Sequence, residues 1–179
     1  MVTFLVGTIG SSLLCYSIPY EPETIPAKIG AFGLFSSIMG ASLAPILLIG
    51  GPVISRAAAY TACVVGGLSA TAACAPSDKF LYMAGHLSLG LGVVVVASLG
   101  GLFMTPGSML FSGLNAISLY GGLVLFGGFL LYDTQKIIYH AESAQKYDPV
   151  NASIGIYLDT INIFIRMVAI LMNGNSRRK

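Results

Sequence analysis

Two carboxylates and one guanidinium stand in stretches of this sequence that are otherwise almost wholly apolar. Asp133 ends the run LVLFGGFLLYDTQKII, and Asp159 and Arg166 lie well inside IGIYLDTINIFIRMVAILM. An ionisable group in the middle of a bilayer costs on the order of 3 kcal/mol to insert, and such groups mark ion paths and proton relays. Two facing carboxylates at low dielectric cannot both ionise cheaply, so the pair holds a proton up toward physiological pH. Ionised, the same pair can bind a divalent cation, since Ca²⁺ prefers hard oxygen ligands, or trade it for protons. Asn162 falls on the Asp159 face and can relay hydrogen bonds. Arg166, about 10 Å beyond Asp159 along a helix, either neutralises the cavity or snorkels to the headgroups. Lys136 follows Asp133 by one turn and can pair with it, the arrangement expected if Asp133 is merely interfacial. Arg56 reads as a snorkelling anchor, and His86, alone on an apolar helix, as a satisfied or interfacial histidine. No closely spaced set of His and Cys suggests a structural metal.

The elements that position these groups follow from where charge is missing. Of 179 residues, 55% are hydrophobic and only 9% charged, against roughly 25% charged in soluble domains. That excludes a soluble enzyme, a disordered tail and a nucleic-acid binder. The three cysteines, Cys15, Cys63 and Cys74, lie in apolar stretches and indicate no disulfide framework. Residues 1–20, 29–55, 57–77 and 80–132 hold no Asp, Glu, Lys or Arg. A spanning helix takes about 20 apolar residues. The first three stretches therefore hold one helix each, and the fourth holds two, divided at the turn TPGS at 105–108.

The expected fold is all-α, a single transmembrane domain over residues 1–179 with helices near 2–18, 29–49, 53–75, 80–104, 110–139 and 151–172. Gly30, Gly33, Gly40, Gly66, Gly67, Gly121, Gly122, Gly127 and Gly128 are expected to let helices approach closely. The trio Gly85, Gly90 and Gly92 has no preceding strand and is not a nucleotide loop. No signal or transit pattern follows Met1. Arg56 and the terminal Arg177, Arg178 and Lys179 on one side balance Lys28, Lys79, Lys136 and Lys146 on the other, so charge sets no orientation. With a connection over residues 141–150, Asp133 lies about 10 Å into its helix and Asp159 about 12 Å into the next. An antiparallel pair puts both carboxylates at one depth, in the bundle interior.

LLYDTQKII followed by IYLDTINIFIRM resembles the two C-terminal aspartate helices of the Bax inhibitor-1 family, the transmembrane BAX-inhibitor-motif proteins. SIPYEPE, GGPVISRAAAYTA, GGLSATAACAPSDKF, YGGLVLFGGFLLYDTQK, AQKYDP and the RRK ending are similar to its mitochondrial, growth-hormone-inducible branch. The resemblance covers the whole chain. It implies a helical membrane protein conducting Ca²⁺, with Asp133 and Asp159 in the places of the family's pH-sensitive aspartate pair. For the mitochondrial branch it implies the inner membrane, Ca²⁺/H⁺ exchange, cristae organisation and restraint of apoptosis. Family members carry one or two helices before the segment that begins here at Met1, one of them supplying a charged residue to the gate. A mitochondrial member also carries a targeting sequence. The chain is therefore expected to be a short isoform or an incomplete gene model.

Three function classes follow. The first is a Ca²⁺ channel or exchanger using Asp133 and Asp159, with Arg166, Asn162 and Lys136 in support, Ca²⁺ as the transported ion, and no cofactor. Its partners are the lipid bilayer, Ca²⁺ and protons. The second is a membrane scaffold without transport, acting through other inner-membrane proteins or self-association. The third, an intramembrane aspartyl protease, is suggested by Tyr132–Asp133, but Asp159 sits in YLDT with no Gly-x-Gly before it. No enzymatic activity is expected. Six spans place Met1 and Lys179 on the same side of the membrane. Tags at the two termini should therefore share one protease accessibility; opposite accessibility would show a miscounted span.

Overall fold

Turn chemistry divides this chain into helices where the sequence changes character. A computed structural model describes residues 2–48, 50–76, 79–105, 107–143 and 147–176. Among them there is no strand, as lipid demands of an open chain: every backbone group must find its partner inside its own segment. The helices are α1 Val2–Ser17, α2 Ile25–Ser42, a single turn α3 Ala44–Leu47, α4 Gly51–Cys74, α5 Ala84–Leu102, α6 Met109–Ala116, α7 Gly122–Ser143 and α8 Pro149–Ser176. A π-turn, Ile117–Gly121, joins α6 to α7, so Met109–Ser143 is one run of 35 residues.

Five segments are long and apolar enough to cross a membrane: Ile25–Ile46, Gly51–Cys74, Leu81–Leu102, Met109–Ser143 and Pro149–Gly174. The protein is an integral membrane protein. The sixth expected span, α1, has 16 residues and rises about 24 Å, less than the roughly 30 Å of a hydrocarbon core. The helix starts differ from expectation for local reasons. Proline at the first helical positions extends α2 back to Ile25 and α8 back to Pro149. Asp148 caps α8, its Oδ1 accepting from the amides of Val150 and Asn151 at 3.1 Å each. Gly50 and Gly107 take positive φ, 117° and 96°, in the turns before α4 and α6. Ser108 closes the second turn by accepting from the Phe111 amide. The helix break at TPGS is thus where expected, although Pro106 lies outside the described residues.

Helices α7 and α8 form the most extensive packing pair, and α4 lies against both. α5 packs on α7 through reciprocal recesses, Leu125 into Gly90 and Leu87 into Gly128. The α1–α2 hairpin joins the bundle through Phe32 and Phe35, which meet Tyr157 of α8 edge-on with ring centroids 6.0 and 5.7 Å away. Not every glycine serves such contacts. Around Gly30, Gly33, Gly40, Gly66 and Gly67 nothing lies within 4 Å of an added Cβ, so the expected close approach is absent there. The cysteines are free.

Lys28 is the clearest departure from the sequence reading. Counted there as a flanking surface charge, it is fully buried, bonded to the Ile18 carbonyl at 2.6 Å and ion-paired with Asp148. Being at the first turn of α2, it can reach both the loop before its own helix and the cap of α8. Of the other charges in that balance, Lys146 and residues 177–179 lie outside the described residues. Gln135, also buried, ties α7 to the α4–α5 connection, accepting from the Phe80 amide at 2.5 Å and donating to the Pro76 carbonyl at 2.6 Å.

Removing one member of a buried ion pair strands the other charge, at a cost of about 3–5 kcal/mol. Asp148→Asn keeps the helix cap and leaves Lys28 unpaired, and should lower stability by about 3 kcal/mol. Lys28→Met should cost less, because Asp148 is partly exposed. The double variant should recover much of the loss. Thermal unfolding of the four forms in detergent measures this coupling, and additive losses would show that the pair is not coupled.

Candidate ion site between the last two helices

The register of α7 against α8 is fixed by two charged side chains lying on two glycines. The Asp133 carboxylate rests against Gly155, and the Arg166 guanidinium rests against Gly122; a Cβ at either glycine would overlap them. Eleven residues separate Gly122 from Asp133, and eleven separate Gly155 from Arg166, so the antiparallel pair runs without slip. Along α8, Gly155, Asp159, Asn162 and Arg166 recur at helical spacing and form one polar stripe. Asp133, Phe129, Phe126, Gly122 and Ser118 form the opposing stripe.

The expected juxtaposition of the aspartates holds, with one change. They are not level: Asp133 lies at the height of Gly155, so Asp159 is one turn farther along α8, about 6 Å. Counted from the observed helix ends the two still tie, ten residues from Ser143 and ten from Pro149; the offset arises because the register set at Gly155 and Gly122 carries α7 about one turn past the start of α8. Asp133 is half-buried and opens into a cavity of about 430 Å³ walled by Tyr16 of α1, by Lys136, Ile137 and His140 of α7, and by Asp148, Asn151 and Gly155 at the start of α8. Asp159 is 5% exposed. Among the described residues, nothing hydrogen-bonds its Oδ2.

The supporting residues divide. Lys136 lines the cavity but makes no ion pair with Asp133; its ammonium lies 5.7 Å from the Tyr132 ring centroid. Asn162 is no relay to Asp159. Its amide donates to the Leu158 carbonyl at 3.0 Å, and its Oδ1 accepts from Arg166 at 3.0 Å. Arg166 neither snorkels nor hangs over the aspartates. It donates to the Ser118 carbonyl at 3.3 Å and the Asn162 carbonyl at 3.1 Å, and stacks 4.5 Å from the Phe126 ring centroid. A π-turn loosens the regular ladder of helix bonds and often accompanies function; here it presents Ser118 to Arg166. Arg56 and His86 are both exposed, in keeping with anchoring and interfacial roles.

Sequence reasoning missed Tyr16, His140 and the Lys28–Asp148 pair as walls and supports of this cavity. A lysine in the first turn of an apolar helix and an Asp–Pro–x–Asn cap were the available signals. Tyr16 carried none, because the α1–α2 hairpin brings it there only through tertiary packing.

A family model described as inhibitor of apoptosis-promoting Bax1 matches residues 1–177. The chain is 49% identical over 176 residues to growth hormone-inducible transmembrane protein of Rattus norvegicus, covering 96% of this chain and 51% of that protein. Bax inhibitor 1 of Bos taurus is 30% identical over 179 residues, 97% of this chain and 73% of that protein. An uncharacterised protein of Campylobacter jejuni is 30% identical over 170 residues, 92% of this chain and 69% of that protein. The chain thus spans about half the length of the rat relative. No solved structure matches it. With the helices, the paired aspartates and a match running from end to end, the chain belongs to the Bax inhibitor-1 family of integral membrane proteins.

Proposed function

We propose that the chain forms a pH-sensitive Ca²⁺ pathway, a channel or a Ca²⁺/H⁺ exchanger, in which Asp133 and Asp159 take the ion in turn. We place it in the mitochondrial inner membrane, linked to cristae organisation and to the restraint of apoptosis that the family's description names. The observation that carries the transport reading is the buried, unpartnered Oδ2 of Asp159 one turn from a carboxylate that opens to a cavity. An orphaned buried acceptor costs about 1–3 kcal/mol, more when charged. A proton or a cation removes that cost, and the two therefore compete.

Two carboxylates suit a transported ion better than a resident one. Among the described residues no group of three or more His, Cys, Asp or Glu is placed to hold a metal. Conduction needs a site that attracts the ion yet releases it. His140 and Asn151 at the cavity wall supply further polar atoms on the approach.

The scaffold reading is the alternative. One observation favours it: Gly30, Gly33 and Gly40 on α2 are exposed and without neighbours, a face that another membrane helix can approach closely.

Ca²⁺ flux into liposomes at graded pH decides between them. Asp159→Asn keeps the shape and deletes the charge, and should cut flux at least about tenfold, the effect of some 1.4 kcal/mol. Asp133→Asn should weaken both flux and its pH dependence. Acidification should lower wild-type flux, because protonation removes the charge that Ca²⁺ needs. Unchanged amplitude and pH profile in both variants would make the aspartates structural and favour the scaffold.

A further inference from the structure

We propose that Arg166 is the electrostatic barrier that closes this pathway on the far side of Asp159, and that it must leave its seat before a divalent cation can cross. The inference rests on the Ca²⁺ reading of Asp133 and Asp159 and extends it to a residue with no acidic partner.

The two ends of the α7–α8 seam differ. At one end Asp133 meets an open cavity. At the other the polar stripe of α8 ends in a fixed positive charge, about 10 Å beyond Asp159. Among the described residues no carboxylate pairs with Arg166. Its satisfaction is neutral throughout: two backbone carbonyls, one amide oxygen and one aromatic face. Carbonyl dipoles and a ring hold the guanidinium in place without cancelling its charge, so its field still acts along the seam. At low dielectric that field reaches Asp159. There it has two effects: it favours the ionised carboxylate, and it opposes any cation moving onward.

The seat is a built feature. Gly122 leaves the space that the guanidinium fills, the π-turn supplies the Ser118 carbonyl, and Phe126 lies two turns below Ser118 on the same face. Emptying the seat breaks three hydrogen bonds and one ring contact, all made by one side chain, so a rotamer change suffices while the Asp133–Gly155 contact keeps the helices in place. A cation that reaches Asp159 from the cavity is therefore held until the seat empties. Such a dead end, relieved by a side-chain movement, is what separates a gated or exchanging site from a leak.

Charge makes the proposal specific. A fixed unit charge opposes a divalent ion twice as strongly as a monovalent one. Arg166→Met should raise Ca²⁺ flux by about tenfold and K⁺ flux by about the square root of that factor, near threefold. Gly122→Ala tests the seat with the charge retained. Its new methyl meets the mobile end of Arg166, not backbone, and should displace the guanidinium and raise Ca²⁺ flux, while the Asp133–Gly155 contact still holds the helix register.

The measurement is paired Ca²⁺ and K⁺ flux in liposomes for wild type, Arg166→Met, Gly122→Ala and Asp159→Asn. The expected result is a larger gain for Ca²⁺ than for K⁺ in Arg166→Met, a Ca²⁺ gain in Gly122→Ala, and a loss in Asp159→Asn. Equal gains for both ions would make Arg166 a steric plug and overturn the charge barrier. Loss in Asp159→Asn with no gain in either other variant overturns this inference alone, leaving the aspartate pathway standing. Wild-type flux that ignores Asp159→Asn removes the Ca²⁺ reading and this inference with it.

Discussion

Charge inside an apolar bundle must be housed where two helices meet, and the α7–α8 seam is where this chain houses it. Asp133 and Arg166 are long enough, or close enough, to keep the helices apart unless the facing residue gives way. Gly155 and Gly122 give way, each eleven positions from the charged residue on its own helix, so two charged side chains and two missing Cβ atoms set one register. A one-residue slip would rotate both charges about 100° around their axes and press them against side chains or lipid. The rest of the bundle is arranged around that register. α4 lies against both helices, and α5 keys into α7 through Gly90 and Gly128.

The connections are tied to the same seam by polar side chains. Gln135 follows Asp133 by two residues and so points away from it, into the α4–α5 connection, where it satisfies one amide and one carbonyl. Asp148 caps α8 and at the same time neutralises Lys28, which holds the end of α1 through the Ile18 carbonyl. One carboxylate thus fixes where α8 begins and where the α1–α2 hairpin sits. Tyr16 is carried to the cavity wall by that hairpin, and Asp148 itself stands in the wall, so the Lys28 pair sets the shape of the approach to Asp133.

Much of this was legible in the residues. Long charge-free runs gave the helices, because hydrocarbon admits few alternatives. Pro–Gly punctuation gave the breaks near Gly50 and Gly107. Asp133 and Asp159 stood out because the cost of burying them is large. What was hidden has a common cause: long-range placement. Lys28 looks like any interfacial lysine until α8 supplies Asp148. Asn162 sits on the Asp159 face, but its amide is closer to Leu158 and to Arg166 than to the carboxylate. The sequence leaves Arg166 open between neutralising the cavity and snorkelling, because nothing local reveals that a π-turn 48 residues earlier offers it a carbonyl. The same limit explains the aspartate offset, since depth counted from helix ends cannot show that α7 runs about one turn past the start of α8.

The distribution of satisfied and unsatisfied groups along the seam then has a physical meaning. Arg166 and Asp159 cost similar amounts to insert at membrane depth, and the Arg166 guanidinium meets two carbonyls, an amide oxygen and a ring. Asp159 has Thr160, Asn162 and Arg166 in the same stripe or beside it, yet its Oδ2 is left without a bond. Thr160, the next residue, bonds its own helix at Ile156, and Asn162 turns to Leu158 and Arg166. These two donors are thus engaged elsewhere, and the unbonded oxygen lies one turn from Asp133, which faces the cavity. A structural aspartate gains from every donor it can reach. An aspartate that must accept and surrender an ion is served by having none.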